Sequence, residues 1–365
     1  MHQILLFGMA LIVVSTHIFA NPVLSLSGSA FTGLDTNLVN QNKLVSTQFR
    51  TAANLGFGIQ YSDEINAQLD IAFGNQENSN GFIRLREGAK LLGYRLTYAP
   101  KSLQRAWIFQ NISFDAGLLT IPFGQFANTL SDNAAIRSSF ILNDLGYSLL
   151  VKNNLFSDFG SNGLNTSANT DYGRLDVMIF NGTDNGLGDN SDRNIGFATR
   201  FVTVPLLPKT EFGFSLFHSN DSGNSSAINA STLGLMLDVK SVFWGIEYGG
   251  YIVSYNFDDF NADSSDQFLA LMAYGTKRMG SFTLAARYSS IFSEDYSGDG
   301  AYNRALNPEG ISMPYRSDAD RTRFQLDGIY HVNNTMSIHN EFAADFYAFD
   351  ALNTYAILSY ASLTF

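Results

Sequence analysis

The chain has no cysteine among its 365 residues. That excludes disulfide staples, zinc–thiolate sites and a thiol nucleophile. Charge is scarce: Asp, Glu, Lys and Arg make up 15% of the residues, against about 25% in ordinary soluble domains. The net charge of −11 has the wrong sign for a nucleic-acid partner. Tryptophan (2) and proline (7) are sparse. Beyond residue 20 no apolar run approaches the roughly 20 residues that a spanning helix needs. No glycine-rich loop sits where it would cradle a phosphate between a strand and a helix. Asp184-Asn185-Gly186-Leu187-Gly188-Asp189 lacks the ligand spacing and closing glutamate of a calcium loop. His218, His331 and His339 have no nucleophile and carboxylate at a persuasive spacing. No catalytic residue, metal or cofactor is therefore expected, and the chain does not read as an enzyme.

Aromatic residues and glycine are abundant instead, with 31 Phe, 17 Tyr and 31 Gly. At the N-terminus an apolar run, Ile4 to Val14, precedes Ser15-Thr16-His17-Ile18-Phe19-Ala20 and Asn21-Pro22. This reads as a secretory signal over 1–20, cleaved after Ala20, although the segment before the run carries no Lys or Arg. Residues 21–365 show no linker and no shift of pattern, so a single domain is expected.

Period-two alternation dominates that domain. Phe49, Thr51, Ala53, Leu55, Phe57, Ile59 and Tyr61 share one face; Arg50, Asn54, Gly56, Gly58 and Gln60 share the other. Similar rows recur, as in Phe212/Phe214/Leu216, Leu233/Leu235/Leu237/Val239 and Phe282/Leu284/Ala286/Tyr288. The pattern predicts sixteen strands: 23–34, 45–61, 65–73, 90–99, 107–121, 146–155, 172–180, 193–204, 211–219, 231–239, 242–255, 266–275, 281–290, 321–331, 336–348 and 354–365. Many reach the roughly 9–11 residues of a tilted transmembrane strand. Short connections (62–64, 100–106, 205–210, 240–241, 276–280, 332–335) alternate with long ones (74–89, 122–145, 181–192, 220–230, 256–265, 291–320). The exception is 156–171, a Gly/Asn/Ser-rich stretch where a short turn is wanted; either the sixth strand is misplaced or that turn is expanded. Alternation alone also suits a soluble sandwich or propeller. The signal and the strand lengths favour an all-β transmembrane antiparallel barrel, whose backbone groups are all paired because the sheet closes. Eight strands would be filled by side chains, whereas sixteen leave an aqueous channel.

The last strand, Tyr355 to Phe365, has one apolar face interrupted only by Ser359. It resembles the closing strand of bacterial outer-membrane barrels, in which the terminal aromatic residue, here Phe365, is an insertion signal. Gly117-Leu118-Leu119-Thr120-Ile121-Pro122-Phe123-Gly124 resembles the glycine…Pro-Phe-Gly signature of the phosphate-selective porin O and P family and related general porins. Phe180, Asn181 and Gly182 match the Phe-Asn-Gly strand end of the same family. The resemblance implies a sixteen-stranded, homotrimeric channel in the bacterial outer membrane. Its partners would be the lipid bilayer, lipopolysaccharide, the barrel-insertion machinery and small hydrophilic solutes, with no nucleic acid. The lysine cluster on which phosphate selectivity depends in that family has no counterpart near Pro122. Of seven lysines, Lys101, Lys209, Lys240 and Lys277 fall in predicted short turns, and Lys152 in the sixth strand.

Connection 122–145 mixes Phe126, Leu130, Ile136 and Phe140 with Asp132, Arg137 and Asp144. It is either a constriction folded into the lumen or an apolar rim against a neighbouring subunit. Parity places Arg50, Arg95, Arg200, Arg287 and Arg323 on the inner wall with Asp70, Asp115, Glu247, Glu341 and Asp345. Such a wall either sets a transverse field for solutes or merely solvates the lumen and holds the loop. Its remaining inward positions read as Asn, Gln, Ser, Thr and Gly, with no packed apolar side chains. Asp258, Asp259, Asp263 and Asp266 suggest an acidic surface in a long connection, suited to solvent or to cations bridging lipopolysaccharide. The expected function is passive diffusion through a porin; the alternatives are a solute-specific channel of anion or phosphate type, or a surface protein with acidic loops.

Overall fold

The computed structural model describes residues 22–39, 43–76, 85–124, 160–181, 195–205, 209–222, 229–259, 264–293, 321–347 and 354–364. Sixteen long strands are β1 (Val23–Val39), β2 (Lys43–Gln60), β3 (Ile65–Gln76), β4 (Leu85–Tyr98), β6 (Phe109–Thr120), β7 (Gly160–Thr170), β8 (Gly173–Asn181), β9 (Ile195–Thr203), β10 (Thr210–Ser222), β11 (Asn229–Phe243), β12 (Ile246–Asp259), β13 (Ser264–Met279), β14 (Phe282–Ser293), β15 (Arg321–His331), β16 (Met336–Tyr347) and β17 (Thr354–Thr364). A two-residue strand, β5 (Arg105–Ala106), pairs with the start of β6. Every long strand pairs antiparallel with its neighbours in the chain, and β1 pairs with β17. The sheet is a closed barrel without an edge.

Alternation explains the two faces. Leu237 is 61% exposed and Leu26 60% exposed, as are Phe214, Ile252, Leu284, Phe324 and Leu326 to lesser degrees. The opposite parity carries buried Asp176, Arg200, Asp238, Arg287, Arg323 and Glu341. A convex outer surface cannot bury a charge, so this second parity faces the interior. Apolar residues exposed in a continuous outer belt are stable only against lipid.

The sixth spanning strand lies elsewhere than predicted. It is β7 at 160–170, in the stretch that breaks the alternation of connection lengths, and it pairs directly with β6 and β8. Its residues are polar on both faces, so the hydrophobic alternation that marks other strands is missing. Ser161 and Ser167 face inward, and Ser167 Oγ donates to Asp176 at 2.5 Å. On the outer face Tyr94 O–H donates to Asn162 Oδ1 at 2.8 Å. With β7 in place, the β7–β8 turn is Asp171-Tyr172. The predicted segment 146–155 lies outside the described residues.

Several strands also run longer than predicted. β11 continues to Phe243, so the turn is Trp244-Gly245, and Lys240 is a strand residue. Lys277 likewise lies within β13. Trp244 (φ 51°) and Gly245 (φ 71°) meet the requirement of a two-residue hairpin turn for positive φ at both positions. Both tryptophans of the chain lie at short turns, with Trp107 92% and Trp244 85% exposed. Asp258 and Asp259, predicted in the connection 256–265, end β12, and Asp266 lies in β13 as predicted. At the same end as the tryptophans, Lys101 Nζ reaches Asp63 at 3.0 Å. That hydrogen bond, helped by the Asp63 charge, raises the ammonium pKa above its ordinary value.

Candidate functional site

The inner wall divides into two charged regions and an apolar patch. On β8 to β12 the charges alternate in sign. Arg174 bonds Asp176 through Nη2 at 2.9 Å. Asp176 is the cross-strand partner of Arg200. Arg200 reaches past β10 to Asp238 on β11, with Nη1 and Nη2 each 3.0 Å from a carboxylate oxygen. This fork needs Gly213 between the partners, because a Cβ there would strike the Asp238 carboxylate. The two side chains are 4% and 2% exposed. Lys240 Nζ lies 3.2 Å from Glu247, which also accepts from Tyr274 O–H at 3.3 Å.

On β14 to β17 an amide stands between an arginine and a glutamate. Arg287 Nε donates to Gln325 Oε1 at 2.7 Å, and Nη2 contacts the same oxygen. Gln325 Nε2 donates to Glu341 Oε1 at 2.8 Å. His339 Nδ1 lies 3.2 Å from Asp327 Oδ2, its Nε2 lies 3.2 Å from Ser362 Oγ, and its ring stacks on Tyr360. This Asp–His–Ser line is absent from the sequence reading, since the three residues meet only through strand pairing. Ser362 is 2% exposed, and the next backbone N–H of its parity, that of Thr364, is bonded to Thr335 O at 2.8 Å. The arrangement orients the imidazole between a carboxylate and a hydroxyl.

The remaining predicted wall residues form local contacts. Arg95 Nη2 donates to Gln68 Oε1 at 2.7 Å, and Gln68 Nε2 donates to both oxygens of Asp70. Thr97 donates to Asp115 at 2.5 Å. Arg323 is buried, with its backbone opposite Asp345 in the β15–β16 register. The side chains of Arg50 and Asp345 lie outside the described residues. So do Asp132, Arg137, Asp144, Gly182, Phe365, Lys152, Asp263, the segment 184–189 and residues 1–20. Among the described residues no group of three or more His, Cys, Asp or Glu could hold a metal ion.

The inner wall is not polar throughout, contrary to the expectation from parity. Met178, Phe180, Ala198, Phe217, Met236 and Val253 are buried on its β8–β12 side. They lie under the chain that leaves β6. Ile121 and Phe123 are fully buried. Phe123 packs edge-on against Phe217 at 5.7 Å, and Phe217 stacks on Phe180 at 5.9 Å. Gly124 N–H donates to Ser215 Oγ on β10 at 3.0 Å. Four strand spacings of about 4.8 Å separate β6 from β10, so this segment departs from the wall and crosses the interior. Phe180 can lean toward Phe217 because Gly196 lies between them; a Cβ there would enter the ring. Pro122-Phe123-Gly124 and Phe180-Asn181, far apart in sequence, thus meet at one place. The Asn181 carbonyl accepts from Ser161 Oγ at 2.7 Å.

A closed barrel of this strand number, with charge inside and a loop base entering it, has close parallels among solved structures. The fold is that of the outer-membrane porins. The anion-selective porin from Comamonas acidovorans superposes with a TM-score of 0.62 at 8% identity, covering 94% of this chain and 100% of that one. The outer-membrane channel DcaP of Acinetobacter baumannii gives 0.60 at 12% identity, over 95% and 98%. OmpT of Vibrio cholerae, an outer-membrane protein in its trimer form, gives 0.62 at 9% identity, over 95% and 100%. No protein-family model and no curated protein sequence matches the chain. The likeness to the porins is one of fold, carried by strand number, closure and pairing rather than by residue identity.

Proposed function

We propose that the protein is an outer-membrane porin: a water-filled channel for passive diffusion of small hydrophilic solutes, without catalytic activity. The observation that carries this reading is a closed barrel of sixteen long strands whose outer face exposes Leu and Phe while its inner face holds charge. The short turns, with their exposed tryptophans, mark the periplasmic end. Cleavage after Ala20 and recognition of Phe365 by the insertion machinery complete the route to the membrane.

A phosphate-type channel receives less support. Arg174, Arg200 and Lys240 each have a carboxylate partner, so this wall offers no excess of cations. Self-association, as a homotrimer, has a specific support on the outer wall. Asn340 and Ser359 are cross-strand partners facing outward, and Ser359 Oγ donates to Asn340 Oδ1 at 2.9 Å. The Asn340 amide N–H groups have no acceptor among the described residues. An unmatched amide in hydrocarbon is costly, and contact with another subunit removes that cost. Asp258 and Asp259 at the end of β12 and Asp266 near the start of β13 put carboxylates in the chain where lipopolysaccharide is the proposed neighbour.

Single-channel recording of the folded protein in planar bilayers tests the reading. Discrete conductance steps, with a reversal potential in a salt gradient, are expected. A folded barrel that inserts without carrying current would favour the surface-protein alternative.

A further inference from the structure

A recess of about 500 Å³ opens in the inner wall at the short-turn end, between β7 and β11. It falls within the roughly 300–1,000 Å³ range of small-molecule sites. Val202 and Pro205 supply apolar lining, while Arg174, Asp176, Glu211 and Lys240 supply charge. The pairing among these groups is incomplete. Arg174 donates through Nε and Nη2 to Asp176 and Ser167, whereas its Nη1 bonds nothing among the described residues. Its side chain is 54% exposed. Lys240 is the cross-strand partner of Glu211, yet its Nζ turns to Glu247 on the other side. Glu211 is left exposed, with neither hydrogen bond nor ion pair among the described residues.

Register sets the spacing of these groups. Arg174 pairs with Val202, and Val202 pairs with Gly213, two residues along β10 from Glu211. Two strand spacings, about 10 Å, therefore separate the chains bearing the guanidinium and the free carboxylate. A simple anion drawn to Arg174 meets Asp176 and Glu211. A simple cation drawn to Glu211 meets Lys240 and Arg174. A molecule carrying both charges can satisfy both sides through charge-assisted hydrogen bonds.

The geometry points to a docking site for small zwitterions of the amino-acid and short-peptide class at this mouth of the barrel. The ammonium group sits on Glu211, and the carboxylate takes the spare N–H donors of Arg174. This site deepens the channel reading and rests on it for its role, while binding itself is independent of conduction.

The test uses alanylalanine as probe, with n-propylammonium and propionate as single-charge controls. Calorimetry on the full folded protein in detergent reads binding, and bilayer currents read block from the short-turn side. Saturable alanylalanine binding is expected, with both controls far weaker. Glu211→Gln and Arg174→Gln should each weaken it roughly tenfold, the effect of losing one charged hydrogen bond. Lys101→Gln, outside the recess, should leave it unchanged. Alanylalanine binding no better than either control, or undiminished in both recess variants, overturns the proposal. Binding without any channel current would instead retain the site and remove the porin reading.

Discussion

The two charged halves of the inner wall solve one problem by different means. On β8 to β12, Arg200 meets Asp238 directly through a two-pronged contact over a glycine. On β14 to β17, the Gln325 amide links Arg287 to Glu341. The direct pair concentrates its energy in two side chains. The relay divides it among three and keeps neutral groups next to charged ones. A wall that must stay rigid under the chain entering from β6 therefore has the direct pair, since Ser215, which receives Gly124, lies on β10 beside Gly213.

Breaking each wall tests that contrast. Asp238→Ala removes the carboxylate that both Nη atoms of the buried Arg200 bond, so a loss of about 3 kcal/mol is expected. Urea unfolding of the refolded barrel measures it. Adding Arg200→Met to Asp238→Leu should restore most of the loss. Gln325→Leu removes an amide donor and acceptor together and should cost about 2 kcal/mol. An equal or larger loss from Gln325→Leu in the same assay would erase the distinction between the halves. Gly196→Ala pushes a methyl group into the Phe180 ring. The ring can swing, so the expected cost is about 1–2 kcal/mol, with an altered near-ultraviolet dichroism from the displaced aromatic cluster. The smallest effect belongs to Lys101. Its pKa is raised, so its pairing with Asp63 contributes below the ordinary lysine value and is lost as pH rises through the raised one. Lys101→Met should thus differ slightly from the parent at pH 8 and not at all in strong alkali. A gap that widened with pH would contradict the assigned pairing.

Most of the barrel was legible in the chain because its outer face must be apolar at every second residue. β8 to β17 fall close to where the alternation puts them. β7 escaped because Gly160–Thr170 is polar on both faces; only the alternation of connection lengths hinted at a misplaced strand. The wall charges on the expected parity were readable one at a time. Their partners were not. Arg200 and Asp238 are thirty-eight residues apart, and Asp327, His339 and Ser362 converge only through register. The apolar lining around Phe217 was hidden for a different reason: inward apolar residues on β10 and β12 look like lipid-facing ones shifted by one, and only the chain crossing from β6 explains them.

The amino-acid order by itself determined the two-faced strands, their approximate number and the lipid-facing belt, because period-two patterning is a local property of extended chain. Closure, register and the choice of ionic partners were decided by the tertiary structure. Side chains on adjacent strands meet across a few ångströms whatever their separation along the chain, and burial then decides which contacts carry energy.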